Sequence, residues 1–188
     1  MNKRKKRVLV ISDLDDTLTR TNNENNGIVP DKFKWAPYFR GDSFFKELVK
    51  RHPENWRELF FSLYNPSNID KKVLREFTLN SKIKHNKFKN FIILTAGIRY
   101  IQLNKIYRLG LGNLTHFTVP KSREKTTKII EIIKKQQLLV SDDIKKIIIA
   151  EDRPKNIDKD TIQIETQIPV NLIKVELTPY SPNLELIK

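Results

Sequence analysis

Val8-Leu9-Val10-Ile11-Ser12-Asp13-Leu14-Asp15-Asp16-Thr17-Leu18 is the stretch on which the fold turns. Its first four residues are apolar and three of them are β-branched, the composition of a buried strand. Directly behind them stand Asp13, Asp15 and Asp16, three carboxylates within four positions. Like charges this close, at the end of a strand that enters a core, destabilise a fold unless a cation or a hydrogen-bond network compensates them. An acidic turn capping a helix is the plain alternative, because Asp is a favoured turn and N-cap residue. The remainder of the chain favours a catalytic reading.

Outward from this stretch, short β-branched segments alternate with amphipathic ones. Strands are expected over 7–12, 91–95, 115–119, 146–150 and 171–177. Helices are expected over 98–109, ended by Gly110 and Gly112, and over 122–137, with Ser122 as N-cap and Ile129, Ile130, Ile132 and Ile133 as the apolar set. Pro154 marks the start of a short helix after the fourth strand. This rhythm predicts an α/β fold, a Rossmann-like parallel sheet with helices on both faces. Ligands of such sheets gather outside the carboxyl ends of the strands. The residues there are Asp13 and Asp15 after the first strand, Thr95 after the second, 121–125 after the third, and Glu151-Asp152 after the fourth.

The segment 28–88 breaks the rhythm and holds most of the chain's aromatic residues. It reads as a small helical cap inserted into a core formed by 1–27 and 89–188, with helices over 42–51, 53–63 and 70–78. Its aromatics are expected to pack a small core of their own. Stacking on nucleic-acid bases beside Lys32, Lys34, Arg40 or Arg57 is the functional alternative.

The chain has 188 residues, enough for one domain that buries roughly 70% of its unfolded surface. Without cysteine, thiolate metal sites are excluded. His52, His85 and His116 are too scattered for a zinc site, so a metal here is expected to be oxygen-bound. No apolar run reaches membrane-spanning length, and a soluble cytoplasmic protein is expected, or a nuclear one in a eukaryote. A net charge of +14 favours an anionic partner such as nucleic acid, nucleotide or another phosphorylated molecule. The abundance of Lys, Ile and Asn offers a compositional explanation for the same excess. The basic run at 3–7 reads as a solvated terminus, with a phosphate-contacting arm as the alternative.

These residues, taken in order, resemble the haloacid dehalogenase superfamily of phosphotransferases. Asp13-Leu14-Asp15-Asp16-Thr17 is similar to its first motif, Asp-x-Asp-x-Thr, and Ile92-Ile93-Leu94-Thr95 to its second. Lys125 or Lys121 stands for the third-motif lysine; Lys125 is preferred because it falls in the first turn of the expected helix. Ile147-Ile148-Ile149-Ala150-Glu151-Asp152 is similar to the acidic fourth motif, and Glu151-Asp152-Arg153 further resembles the ending seen in polynucleotide 3'-phosphatase domains and RNA-repair-associated members.

The resemblance implies a nucleophile at Asp13, a general acid and base at Asp15, and phosphoryl-binding groups at Thr95 and Lys125. It implies Mg²⁺ held by Asp13, the Asp15 carbonyl and Asp152, with Glu151 orienting its water shell. Whether Glu151 or Asp152 touches the metal is open. Arg20, Arg99 and Arg153 are candidate substrate contacts, and Asp16 is a turn residue where many relatives have Gly. A Mg²⁺-dependent phosphomonoesterase acting through an aspartyl-phosphate on nucleic-acid 3'-phosphates or nucleotides is therefore expected. Two alternatives stand beside it: a sugar-phosphate phosphatase or phosphomutase, and a non-catalytic nucleic-acid-binding module on the same scaffold.

Overall fold

Both faces of the sheet's central strands are buried against helices, which is why these strands are apolar at consecutive positions and not at alternate ones. A computed structural model describes residues 7–19, 42–62, 64, 91–139, 144–177 and 182–187. Its strands are β1 (Arg7–Ser12), β2 (Phe91–Ala96), β3 (Thr115–Val119), β4 (Ile144–Glu151), β5 (Val170–Leu177) and β6 (Pro182–Ile187). They form one sheet in the order β3-β2-β1-β4-β5-β6. All neighbours are parallel except β5 and β6, which pair antiparallel. The α/β, Rossmann-like expectation is met, with β1 at the point where the strand order reverses.

The helices are α1 (Asp42–Arg51), α2 (Trp56–Ser62), α3 (Arg99–Arg108), α4 (Lys125–Leu139) and α5 (Lys159–Thr166). Along β1, Val10 buries against Leu48 of α1, Leu59, Phe60 and Phe61 of α2, and Ile106 of α3 in one cluster. Leu9 and Ile11 face the other way, into a cluster with Ile129, Ile132 and Ile133 of α4 and Ile162 of α5. The alternation of a strand thus distributes one apolar run between two helical layers.

Local signals account for most element ends. Gly110 ends α3 in the left-handed region at φ 74°, where glycine carries no Cβ penalty. Behind it, the Gly110 N–H donates to Tyr107 O at 3.0 Å and the Leu111 N–H to Ile106 O at 3.0 Å, the paired bonds of a Schellman stop. The segment 122–124 forms a 3₁₀ turn before α4 begins at Lys125, so the expected helix over 122–137 divides there. β4 starts at Ile144, two residues before the expected 146: Ile144 pairs with Arg7 of β1 and Lys146 with Val8, a register shift that takes Lys145 into the strand between them.

Two elements lacked an advance signal strong enough to place them. At Pro154, where a short helix is expected to start, the chain makes a 3₁₀ turn over Pro154–Asn156; α5 follows it and is capped by Asp158, whose Oδ1 accepts the Thr161 N–H at 3.0 Å. β6 pairs back on β5 antiparallel, Leu177 opposite Pro182, a hairpin that the sequence reading did not place.

Among the described residues of the inserted segment, several aromatics pack against the sheet and not in a core of their own. Phe60, Phe61 and Tyr64 join the cluster that contains Val10, Leu14, Leu18 and Phe91. Phe45 meets Trp56 edge-on at 5.0 Å and Phe60 at 5.8 Å, linking α1 to α2 by aromatic packing. The expected helix over 70–78, with Trp35, Lys32, Lys34 and Arg40, lies outside the described residues, as do most of the basic run at 3–7 and His85.

Ile106 has no exposed surface, whereas Ile164 of α5 is 74% exposed. Ile106→Ala is expected to lower unfolding free energy by about 2–5 kcal/mol and Ile164→Ala by under about 0.5 kcal/mol. Urea denaturation checks this; equal midpoints for the two variants would contradict the assignment of the α3 face.

Candidate active site

Register brings the first and fourth acidic segments together. Ser12 pairs with Ala150 at the carboxyl ends of β1 and β4, so Asp13 and Glu151 follow side by side. The Asp13 N–H donates to Ala150 O at 2.9 Å, extending the ladder one step past the strand. Beyond Asp13 the chain turns tightly: Leu14 O accepts the N–H groups of Leu18 and Thr19 at 3.0 and 3.1 Å. Asp16 sits in this turn at φ 58°, a left-handed position that Asp tolerates better than most residues. Buried Thr17 closes the link to the fourth segment, its Oγ1 accepting the Asp152 N–H at 3.0 Å.

Lys125 enters this acidic group from α4. It lies four, seven and eight positions before Ile129, Ile132 and Ile133, on the helix stripe that buries against the sheet. Its Nζ stands 3.0 Å from Asp13 Oδ1 and 2.7 Å from Glu151 Oε2. Lys125 is 2% exposed, Glu151 1% and Asp13 8%. Lys121, the other candidate lysine, is exposed. Thr95 is buried at the same end of the sheet, on β2 beside β1, ahead of a turn in which the Gly97 N–H donates to Val119 O at 2.8 Å.

The carboxyls converge on too little positive charge. Burial raises the Asp13 pKa from 3.8 to about 6; Lys125 opposes this and Asp15 adds to it. Burial likewise raises Glu151, reinforced by the Asp13 charge and opposed by Lys125, to about 8. Asp152 is raised by burial against the pull of Arg153, whose Nε lies 3.2 Å from its Oδ2. For Lys125, burial acts to lower the pKa, and the Asp13 and Glu151 charges together outweigh it.

An oxygen-bound divalent cation fits this group. One carboxylate oxygen each from Asp13, Glu151 and Asp152 lies within 4.8 Å of the others. Glu151 Oε1 is buried and has no hydrogen-bond partner, an orphaned acceptor that a bound cation or its water would satisfy. The donors are all oxygen, which suits Mg²⁺ and other hard cations.

Of the sequence-derived site residues, Asp13, Lys125, Glu151 and Asp152 meet in one cluster. Asp15 stands in the turn beside it, held by a partner that motif reading missed. Lys105 of α3, 6% exposed, places its Nζ 2.9 Å from Asp15 Oδ2 and 3.1 Å from Oδ1. The signal was present: Gln102, Lys105, Ile106 and Leu109 share the buried stripe of α3, and a lysine on such a stripe requires an anionic partner. Arg99 is exposed at the start of α3, and Arg20 lies outside the described residues.

The fold and this cluster define a doubly wound α/β domain with an acidic, lysine-bridged site at its switch point. No protein-family model matches the chain, and no curated protein matches it in sequence. A solved structure from Burkholderia xenovorans LB400, described as a haloacid dehalogenase-like hydrolase, is similar at 11% identity over 89% of this chain and 83% of that one, with a TM-score of 0.47. Strand order and register define the fold here independently of that likeness. Among the described residues, no helix is long and apolar enough to cross a membrane.

The raised carboxyls set the sign of a pH effect. Glu151 binds its proton more tightly in the folded than in the unfolded protein, so its contribution falls as pH rises from about 4.5 through about 8. In metal-free buffer, Glu151→Gln is therefore expected to gain stability relative to wild type across that interval. Mg²⁺ is expected to raise the wild-type Tm, by about 2.7 kcal/mol of stability at one hundred times its Kd, and to do so less in Asp152→Asn. Thermal denaturation at several pH values measures both effects; parallel curves for Glu151→Gln and wild type would refute the upward shift at Glu151.

Proposed function

We propose that this chain is a divalent-metal-dependent phosphomonoesterase of the haloacid dehalogenase type, acting on the 3'-phosphates of nucleic-acid ends. The observation that carries the reaction class is the buried Lys125 ammonium, shared between Asp13 at 3.0 Å and Glu151 at 2.7 Å, with Asp15 two residues further along the same turn. A nucleophile, an acid–base group and a phosphoryl-stabilising cation thus occupy one strand end. The net charge of +14 and the resemblance of Glu151-Asp152-Arg153 to end-repair phosphatases support the substrate class.

In this reading an Asp13 carboxylate oxygen attacks phosphorus, and the bond from phosphorus to the ester oxygen breaks with its electron pair on that oxygen. The Asp15 carboxyl passes its proton to the departing oxygen. The Asp15 carboxylate then takes a proton from water as that water attacks the same phosphorus. The Asp13–phosphorus bond breaks, releasing inorganic phosphate and restoring the aspartate.

Lys125 keeps Asp13 ionised and stabilises charge on the phosphoryl oxygens, and Thr95 donates its hydroxyl to one of them. Asp13 and Asp152 would hold Mg²⁺ with the Asp15 carbonyl, and Glu151 would orient its water ligands. The bound cation supplies charge neutralisation between the anionic nucleophile and the phosphoryl group.

Phosphate release with Mg²⁺ tests the reading on a panel of 3'- and 5'-phosphorylated DNA and RNA oligonucleotides, mononucleotides and sugar phosphates. A 3'-phosphorylated oligonucleotide is expected to be the best substrate, its advantage over a mononucleotide shrinking with added salt. Asp13→Asn is expected to lose activity by about 10³-fold or more. A sugar phosphate as best substrate would overturn the nucleic-acid assignment, and no release from any compound would return the protein to a binding role.

A further inference from the structure

The Lys105–Asp15 pair is unusual in its surroundings. Lys105 is buried on α3, 90 residues from Asp15 in sequence, yet its ammonium reaches both carboxylate oxygens, at 2.9 and 3.1 Å. It also lies 4.6 Å from the centre of the Tyr64 ring and 5.4 Å from that of Phe60. Both aromatics belong to the inserted segment, Phe60 within α2 and Tyr64 just after it. Burial opposes the Lys105 charge, and the Asp15 charge with Tyr64 outweighs it. An ammonium enclosed by two ring faces and one carboxylate has few other orientations, so it also restricts the carboxylate.

We infer that Lys105, backed by Tyr64 and Phe60, is a positioning residue for Asp15: it fixes the carboxyl's orientation and compensates the charge that Asp15 takes on as its proton passes to the leaving oxygen. The inference rests on the phosphomonoesterase reading and adds a function for the inserted segment, which completes the surroundings of the acid–base residue. Lys105 is separate from the Lys125 cluster. It approaches from the other face of the sheet, and its partner is Asp15 and not Asp13. No bond to phosphorus involves it.

A residue that acts through the proton donor affects esters according to their need for a proton. An alkyl phosphate has a poor leaving group and depends on protonation, whereas p-nitrophenyl phosphate releases a stable phenolate and depends on it little. With Mg²⁺ present, Lys105→Met is expected to lower kcat/KM for an alkyl phosphate by about 10²-fold, and for p-nitrophenyl phosphate by under about 10-fold. Lys105→Arg is expected to recover part of the alkyl-ester activity, because it restores the charge. Equal losses on the two esters, or none, would overturn the inference and leave the reaction class standing.

Wild type inactive on both esters would remove the reaction class and the inference together. Circular dichroism and Tm report whether Lys105→Met folds. If it does not, Tyr64→Phe decides, since it removes the hydroxyl next to Lys105 and keeps the ring: a loss of about 3-fold or more, confined to the alkyl ester, supports the inference, and an unchanged or unselective profile overturns it.

Discussion

Burying the Lys125 ammonium between Asp13 and Glu151 ties three distant parts of the chain to one point, and the rest of the site is arranged around that requirement. The ammonium arrives on the apolar stripe of α4, so the packing of Ile129, Ile132 and Ile133 against the sheet also delivers the charge. The two carboxyls arrive on adjacent parallel strands whose register sets them side by side. If any of these placements failed, a charge would be left buried without a partner, at a cost of several kcal/mol. The core and the site therefore stabilise or destabilise together.

β1 is the strand that makes this possible. It lies centrally, where the order of the parallel strands reverses, and helices cover both its faces. From one layer α4 sends Lys125 to Asp13; from the other α3 sends Lys105 to Asp15. Asp13 and Asp15 thus each meet a different buried lysine. Together the two ammonium groups reduce the repulsion between carboxylates two positions apart, and Coulomb attraction in a poorly hydrated site makes such pairing stronger than at a surface. The remaining excess of acid lies at Asp13, Glu151 and Asp152, where the orphaned Glu151 oxygen gives a cation something to satisfy.

The inserted helices take part in this arrangement. Phe60, Phe61 and Tyr64 extend the core of one sheet face, and Phe60 and Tyr64 also wall in Lys105. Aromatic rings suit both duties, since they bury a large apolar area while their faces attract a cation. The described helices of the segment that interrupts the sequence rhythm are in this way continuous with the core of the sheet.

Much of this was legible in the order of residues. The apolar run before Asp13, the glycine that stops α3, the isoleucine spacing of α4 and the acidic pair after β4 each act over a few residues, and local physics determines their outcome. They yielded the parallel α/β sheet and a site at its carboxyl end. Tertiary structure alone decided matters that depend on distant partners. It extended β4 back over Ile144 and Lys145 through pairing with β1. It selected Lys125 over Lys121 by helical phase against the sheet, and joined Lys105, Tyr64 and Asp15. No local pattern specifies which buried cation will meet which buried anion; that follows only when strands and helices are brought into one core.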